Sequence, residues 1–533
     1  MGTDPLHTEV PASTTWTTVN VAEAMPGVLT PMTWTFWYPA IERGARRSYY
    51  EQGIFPRSMT AIPTDPADRF QAVFFGRAAL NPDLARRMGD LAPGTTGAEA
   101  EQRVLGFARD LPGESTNRRA PFVAARLPVQ VATISRRIHR RLDDTRAWWS
   151  SSTATTPASV PVAVALLLEA RRRFEEIIVE HTTATIVGLL FAEALEKLAA
   201  PTGITDVVDR TTTGLGDLEE LAMVRDLQAA ADGRLALPFV VARHGFHGPD
   251  EGQLQSPSWR QDPTPLKRMV DRYAGLDADR RPDAVLARQR AAQCGATTEL
   301  LGALEGWRRA AGRFLLARTA ATVPLREVGK TAFLMALDVG RHAAVAAGER
   351  LVADTRLDRL EDVFLLTVDE LAALPADLDA LVTERRARQD RYERLDLPRI
   401  WQGVPEAIEV VADDGGEVVA GGVVLTGEGA APGAVEGRLL VAPDLATAFD
   451  AEPGDIVACR TTDPSWAAVF PVLGGIVVEV GSHTSHAAIV ARELGLPCVV
   501  GIDRITERLR TGMLVRLDAG AGTLEVLQTE GVG

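Results

Sequence analysis

A histidine near the C-terminus, His486, has sequence surroundings that suit covalent chemistry. An apolar strand predicted over 475–480 is followed by a glycine turn, and Thr484, Ser485 and His486 then open a helix predicted over 487–494. The backbone N–H groups and the dipole at a helix N-terminus favour an anion, and neutral imidazole is a nucleophile near pH 7. His486 is therefore a candidate phosphoryl acceptor, and Thr484 and Ser485 are candidate phosphate-binding residues. The alternative is a capping histidine without chemistry.

Motifs on both sides of His486 carry a family resemblance that runs from about residue 422 to residue 527. They are Ala431-Pro432-Gly433, Thr462-Asp463-Pro464-Ser465-Trp466, Gly474-Gly475-Ile476-Val477, Thr484-Ser485-His486-Ala487-Ala488, Ala491-Arg492-Glu493-Leu494-Gly495 and Leu517-Asp518-Ala519-Gly520. This stretch resembles the swivelling phosphohistidine domain of the PEP-utilising enzymes, which include PEP synthase, pyruvate phosphate dikinase and rifampicin phosphotransferase. The resemblance implies that His486 carries the phosphate. Gly481-Ser482 departs from the Gly-Gly that usually precedes the family motif.

Weaker motifs extend the resemblance to the rest of the chain. Residues 20–31, 75–81, 256–260 and 360–367 resemble, in that order, segments of the central substrate domain of rifampicin-phosphotransferase-like proteins. We therefore expect a large, mainly α-helical substrate domain over 1–400, a linker over 401–420, and a small α/β swivelling domain over 421–533.

The local sequence patterns agree with this division. Helical periodicity occurs over 159–198, 215–232, 282–317, 325–353 and 368–395, whereas short Val-rich strands separated by Gly and Asp turns predominate after residue 407. The predicted strands are 418–424, 437–441, 455–459, 476–480, 498–502 and 514–517.

Composition narrows the class of protein. The 533 residues allow two to four domains, and a net charge of −14 argues against nucleic-acid binding. Three cysteines without CxxC spacing predict neither disulfides nor a zinc site. Residues 1–10 lack the apolar run of a signal peptide, and the apolar stretch 160–200 is interrupted by charges, which predicts a buried helix pair and not a membrane span. We expect a cytoplasmic protein that binds no membrane.

The motifs of this sequence include no evident site for a phosphate donor. Full-length relatives begin with an ATP-grasp domain, whereas this sequence starts at the substrate domain. Its three lysines, Lys197, Lys267 and Lys330, lie outside Gly-rich loops, and Gly329-Lys330-Thr331 falls in a helical pattern that argues against a P-loop. We therefore expect a separate ATP-grasp subunit to bind ATP and Mg²⁺ and to phosphorylate His486. ATP is favoured over PEP because the sequence contains no PEP-binding barrel.

Two further groups of residues are candidates for phosphoryl transfer. Arg326 and Lys330 are four residues apart on one helix face, where an anion between them would be favourable. By resemblance to rifampicin phosphotransferase, they would bind the transferred phosphate while Glu327 orients or deprotonates the acceptor hydroxyl. The alternative is a solvated face with a local Arg–Glu pair. His247 lies where the family loop has arginine, and it is either a general base or part of a structural loop.

Aromatic residues early in the chain could form a substrate pocket. Trp34, Trp37 and Tyr38 are candidate substrate-binding residues, and packing in a helical core is the alternative. The i,i+3 histidine pairs 244/247 and 483/486 lack a nearby third ligand, so no metal site is expected.

Taken together, the sequence predicts a phosphohistidine-dependent phosphotransferase component that acts on a hydroxyl group of a small molecule. A second hypothesis is an ATP-driven dehydratase or condensing enzyme that works through a phosphorylated intermediate. A third is a binding protein switched by phosphorylation.

Overall fold

The computed structural model describes residues 4–528 apart from 20, 93, 106, 114–115, 216–217, 410–420 and 482–484. The chain divides into two compact units. The first contains Met1–Val187, Gly252–Pro257 and Val328–Ala412, and the second contains Gly188–Glu251, Ser258–Glu327 and Asp413–Gly533.

Helices account for most of the described chain before residue 395, and three short helices follow it. In chain order they are α1 (Val21–Ala24), α2 (Pro31–Glu51), α3 (Pro82–Leu91), α4 (Gly97–Leu105), α5 (Ala120–Thr153), α6 (Val160–Ala199), α7 (Val207–Thr212), α8 (Glu219–Ala231), α9 (Leu237–His244), α10 (Thr264–Tyr273), α11 (Pro282–Ala303), α12 (Gly306–Thr322), α13 (Leu325–Ala353), α14 (Val368–Ala372), α15 (Leu378–Glu393), α16 (Leu445–Ala448), α17 (His486–Glu493) and α18 (Ile505–Arg508).

Three strands occur in the described chain before residue 395, and the other strands begin at this residue or follow it. In chain order they are β1 (Thr15–Thr17), β2 (Gln71–Phe74), β3 (Arg77–Leu80), β4 (Leu395–Asp396), β5 (Ile400–Gln402), β6 (Ile408–Glu409), β7 (Val424–Thr426), β8 (Glu428–Ala431), β9 (Ala434–Val441), β10 (Ile456–Cys459), β11 (Gly475–Val478), β12 (Cys498–Val500), β13 (Leu514–Asp518) and β14 (Thr523–Gln528). The predicted fold class is confirmed, since a large helical region precedes a smaller α/β region. Most of the predicted 401–420 linker, residues 410–420, lies outside the described residues.

The first unit also contains a sheet that the sequence patterns did not predict. Its four short strands have the order β2-β3-β1-β5, so segments near residues 16, 72, 79 and 401 meet. Trp16, Phe74 and Trp401 pack together in its core, with Phe74 and Trp401 edge to face at 5.4 Å between ring centroids. Strands of three or four residues are too short for their periodicity to be recognised in the sequence.

Helix α6 differs from the prediction for residues 160–200. It is one continuous helix of 40 residues and not a pair of helices. Among the described residues, one helix, Val160–Thr202, has the length and apolar composition needed to cross a membrane, and 44% of its most apolar window is buried in the protein. Leu167, Phe174 and Ile177 on this helix are fully buried.

The second unit contains an eight-stranded mixed sheet in the order β7-β14-β13-β9-β10-β11-β12-β8. Strands β9, β10, β11 and β12 are parallel to their neighbours in this series, and β8 pairs antiparallel with β12 at one edge. The carboxyl ends of β10 and β11 therefore lie side by side. This edge of a parallel sheet is where ligands commonly bind.

Helices α8, α9 and α10 share an apolar core with one face of this sheet. Buried Leu227, Val240 and Tyr273 from the helices belong to the same cluster as buried Phe470 and Ala488 from the α/β region. The Tyr273 hydroxyl donates a 2.9 Å hydrogen bond to the Ala468 carbonyl. The α/β region is therefore docked on a layer of helices through a packed apolar interface.

The three cysteines occupy different environments. Cys459 and Cys498 are fully buried in the sheet, whereas Cys294 on α11 is exposed. Burial raises the pKa of Cys498 to about 12 and raises the pKa of Cys459 well above its usual value. The two buried thiols are therefore protonated and unreactive at neutral pH.

Candidate functional site

His486 lies at the first position of helix α17, beyond the carboxyl end of β11. Ser485 is the N-cap residue, and its hydroxyl accepts a 3.4 Å hydrogen bond from the Ala488 N–H. The imidazole is therefore at the positive end of a helix, as the sequence predicted. Thr484, the other candidate phosphate-binding residue, lies outside the described residues.

A carboxylate from the helical layer contacts the candidate nucleophile. His486 Nε2 lies 3.4 Å from Oε1 of Glu220, which is in the first turn of α8. Only 9% of the His486 side chain and 4% of the Glu220 side chain are exposed. Both ring nitrogens of His486 are shielded from solvent. This arrangement brings together residues that are far apart in the sequence.

His244 links two carboxylates on helix α8. Its Nδ1 lies 2.8 Å from Glu219 Oε1 and its Nε2 lies 2.9 Å from Asp226 Oδ2, and the ring is completely buried. Burial opposes ionisation of Asp226, but the hydrogen bond and charge of His244 outweigh it and lower the pKa of the carboxyl group. Arg243 adds a 2.7 Å contact to Asp226. His244 therefore fastens the end of α9 to α8.

His247 forms a buried pair with Glu251. Its Nδ1 lies 2.5 Å from Glu251 Oε1, and 1% of the side chain is exposed. Burial disfavours the imidazolium, but the Glu251 carboxylate outweighs this effect and raises the pKa of His247, with further contributions from Glu219 and Glu220. Within the described part of the chain, Nε2 of His247 has no hydrogen-bond partner. The structure brings His247 into the same charged cluster as Glu220, and its role as a general base stays a prediction.

Asp463 follows β10 at the same edge of the sheet as His486. It caps the 3₁₀ helix Pro464–Ala468, and its carboxylate accepts a 2.9 Å hydrogen bond from the Ser465 N–H and another from the Ser465 hydroxyl. Burial, together with the charges of Glu251 and Asp250, raises the pKa of Asp463 to about 8. Asp463 therefore retains a proton under conditions where most aspartates are ionised.

The second candidate group is on helix α13, which carries Arg326, Glu327 and Lys330. Arg326 Nε lies 3.7 Å from Glu327 Oε1, and 42% of the Arg326 side chain is exposed. The simpler alternative includes such a local Arg–Glu pair on a solvated face, but only 11% of the Glu327 side chain is exposed. Gly329 lies inside the same helix, where an added Cβ would approach His181 to 3.0 Å, so this glycine permits close packing of α6 and α13. Phosphate binding by Arg326 and Lys330 stays a prediction.

The candidate substrate-binding aromatics pack in the first unit. Trp34 stacks on Tyr38 at 4.9 Å, and Trp37 is buried against Phe174, with its indole N–H donating a 2.8 Å hydrogen bond to the Gly252 carbonyl. Burial raises the pKa of Tyr38 to about 12. These contacts give all three residues a packing role, and substrate binding by them stays a prediction.

A separate cavity in the first unit has a volume of about 350 Å³. Its described lining includes Arg46, Met59, Leu84 and Met88 and does not include the three aromatics. In the part of the chain that the structure describes, no group of three or more His, Cys, Asp or Glu residues is arranged to hold a metal ion.

Comparison with known proteins defines the class of these two regions. Residues 451–522 match the family model of the PEP-utilising enzyme mobile domain, and residues 194–327 match that of the rifampicin phosphotransferase fourth domain. The first match contains His486 and the second contains Glu220. The predicted relationship to the PEP-utilising enzymes and to rifampicin phosphotransferase is therefore confirmed.

Individual relatives show the same relationship. An uncharacterized protein of Mycobacterium bovis is 32% identical over 347 residues, which are 64% of this chain and 37% of that protein. A rifampicin phosphotransferase of Streptomyces sviceus is 32% identical over 320 residues, which are 58% of this chain and 36% of that protein. Chondramide synthase of Chondromyces crocatus is 28% identical over 52% of this chain and 8% of its own length. The chain thus spans little more than a third of the first two relatives.

Sequence reasoning did not identify Glu220, Glu251 or Asp463 as parts of the site. Asp463 had a usable signal, because it follows a predicted strand that runs parallel to the strand before His486. Glu220 lies in a helix that contains other acids and Glu251 lies in a turn after α9, and only the packing of these segments on the sheet distinguishes them.

Proposed function

We propose that this chain is a phosphohistidine-dependent phosphotransferase component in which His486 accepts a phosphoryl group and passes it to a hydroxyl group of a small molecule. The observation that carries the proposal is the position of His486 at the start of α17, at the carboxyl edge of parallel strands, inside a segment that matches the PEP-utilising mobile domain. Similarity to proteins named rifampicin phosphotransferase supports the reaction class.

In the first half-reaction, a separate ATP-grasp subunit with bound ATP and Mg²⁺ is the proposed donor. A neutral imidazole nitrogen of His486 attacks the γ-phosphorus of ATP and displaces ADP, or attacks the β-phosphorus and displaces AMP, with the outer phosphate then lost by hydrolysis. In either case a P–N bond forms as the P–O bond to the leaving nucleotide breaks. The N–H groups at the start of α17 and the Ser485 hydroxyl are suited to bind the new phosphate.

In the second half-reaction, the acceptor hydroxyl attacks the phosphorus atom and the imidazole leaves. Sequence resemblance assigns phosphate binding to Arg326 and Lys330, and it assigns to Glu327 either orientation of the hydroxyl or acceptance of its proton. The exposed part of the Arg326 side chain supports its access to a bound anion. The α/β region would have to move between donor and acceptor, and separation of the two sites would protect the phosphoramidate from water.

The decisive experiment is phosphate incorporation from γ- or β-labelled ATP into the full chain, with and without an ATP-grasp protein, which is first sought among the products of the neighbouring genes. We expect labelling that depends on the partner and that His486→Ala reduces by at least about a thousandfold, because the nucleophile is lost. His139→Ala, which removes an exposed histidine on α5, is the matched control and should label normally. Labelling of His486 by ATP and Mg²⁺ without a partner would refute the split arrangement, and labelling of His486→Ala would refute the role of His486.

A second candidate function is ATP-driven condensation or dehydration through a phosphorylated intermediate. The similarity to part of chondramide synthase, a protein named as a synthase, favours it. Product analysis separates the two functions, since a stable phosphoester supports phosphotransfer, and release of phosphate with a new bond or double bond supports the alternative.

A further inference from the structure

His486 is in a position where it cannot react with a nucleotide. Both ring nitrogens are shielded from solvent, and Nε2 faces the Glu220 carboxylate at 3.4 Å. An in-line attack on phosphorus needs the attacking nitrogen to be exposed to the donor. The docked arrangement of the α/β region therefore represents a state before phosphorylation or after the phosphate has been passed on.

The same position also disfavours phosphorylated His486. A bound phosphoryl group carries a charge of about −1.5 to −2 at neutral pH. It would be placed beside Glu220, with Glu219 on the same helix and Glu251 within range of the same cluster. His244 contacts Glu219, and Arg243 contacts Asp226 on the same helix. Like charges at a separation near 4 Å in a partly buried site repel strongly, so phosphorylation would weaken docking.

We propose that Glu220 is a positioning residue that keeps the unphosphorylated mobile region on helices α8–α10, and that phosphorylation of His486 releases this region by charge repulsion. The inference rests on the proposed function, because it assumes that His486 carries phosphate. It adds a residue, Glu220, and a direction. The α/β region docks on helices α8–α10 when His486 is unphosphorylated and leaves them when His486 carries phosphate.

Other contacts give the docked state its strength but not its sensitivity to phosphate. The Gly214 N–H donates a 2.9 Å hydrogen bond to Glu493, and the Gln289 amide donates one of 2.8 Å to the Arg492 carbonyl. Both lie at the far end of α17 from His486. Release of the α/β region must therefore break these contacts as well. Glu220 determines how strongly a phosphate on His486 shifts the equilibrium between the docked and the released state.

The first experiment measures the reactivity of His486 in the full chain toward potassium phosphoramidate, a small phosphoryl donor that needs no partner protein. Mass spectrometry of digests gives the rates at His486 and at exposed His139, the internal standard. We expect His486 to react at least tenfold more slowly than His139 in the wild type. In Glu220→Ala it should react several-fold faster than in the wild type but still more slowly than His139, because the rest of the docking interface remains. Equal rates at His486 in the wild type and in Glu220→Ala would overturn the proposal.

The second experiment measures hydrogen exchange of peptides from α8 and α10 before and after phosphorylation of His486 by phosphoramidate. We expect exchange in these helices to rise on the order of tenfold or more in the wild type, because one charge repulsion near 4 Å is sufficient for that change. Glu220→Asp keeps the charge and should show the same rise in hydrogen exchange as the wild type. Glu220→Gln should show a clearly smaller rise.

Asp226→Asn is the matched control, since Asp226 is a carboxylate on the same helix that contacts His244 and not His486. It should leave the phosphorylation-dependent rise intact. Unchanged exchange in phosphorylated wild type, or the same rise in wild type and Glu220→Gln, would overturn the proposal. Because neither experiment uses ATP or a partner, a chain that ATP fails to label even with the ATP-grasp partner present would refute the proposed function and leave these results interpretable.

Discussion

The two units neutralise buried carboxylates in different ways. In the first unit, Glu42 is completely buried and is held by Arg46 at 2.7 Å, with burial raising the pKa of Glu42 and Arg46 opposing the rise. In the second unit, the carboxylates around His486 face imidazoles, and Asp463 retains a proton. A guanidinium is always charged, whereas an imidazole gains or loses its charge near neutral pH. The charges of the first arrangement are therefore fixed near neutral pH, whereas those of the second arrangement can change with pH.

Removal of a guanidinium from the first unit should have the largest effect on stability. We expect Arg46→Ala to lower the free energy of unfolding by about 3–5 kcal/mol, because Glu42 would be left as a buried charge without its partner. Urea unfolding followed by hydrogen exchange in α2 peptides measures this. Arg47→Ala is the control, since Arg47 forms an exposed pair with Glu51 at 2.9 Å and should cost less than about 1 kcal/mol. Equal losses for the two variants would remove the contrast between the units.

The second unit should lose stability as the pH rises. The folded-state pKa of Asp463 is about 8 against 3.8 for an ordinary aspartate, and the pKa of His247 is also raised. Both groups hold protons in the folded state that the unfolded chain releases, so their stabilisation is complete at low pH and is lost as the pH rises through the folded pKa. For Asp463 the window is about pH 4 to 8, with a slope of about 1.4 kcal/mol per pH unit while one proton separates the states.

The measurement is urea unfolding at pH 6, 7 and 8, resolved by hydrogen exchange into peptides of the two units. Asp463→Asn should reduce the slope for the second unit, with the contributions of His247 and Glu493 remaining, and should leave the first unit unchanged. A second unit whose stability rises between pH 6 and pH 8 would contradict the assignment of the proton to Asp463.

A smaller effect is expected where the interface contains a neutral hydrogen bond. Tyr273→Phe removes the bond to the Ala468 carbonyl and should cost about 1 kcal/mol at every pH, because neither partner ionises in this range. The same exchange measurement on α10 peptides provides the value. A loss that varies with pH as steeply as that of the charged cluster would show that the apolar interface and the cluster are not independent.

The local patterns around His486 predicted its surroundings closely. The predicted strands 455–459, 476–480 and 498–502 correspond to Ile456–Cys459, Gly475–Val478 and Cys498–Val500, and the predicted helix 487–494 corresponds to His486–Glu493. Gly and Pro residues lie near the ends of these elements, so the ends can be predicted from the local sequence. Helix α13 was also predicted with its observed limits, Leu325–Ala353.

Features that depend on long-range packing were not predictable in the same way. The helix predicted over 282–317 is two helices, α11 and α12, separated before Gly306, which has a φ of +53°. The pattern is helical on both sides of the break, so periodicity alone concealed it. The contact of Glu220 with His486 depends on how α8 packs on the sheet. Helical periodicity predicts which face of a helix is buried but not which residues pack against that face.

The contrast among the cysteines provides a practical means of following motion in this protein. Because Cys459 and Cys498 are buried thiols with raised pKa values, a maleimide dye added to the native chain should label Cys294 on α11 alone. One surface cysteine substituted into the α/β region, for example Thr511→Cys, would complete a donor–acceptor pair without removal of any native cysteine. Single-molecule distances between these two positions would then test directly whether the α/β region leaves helices α8–α10, as we propose.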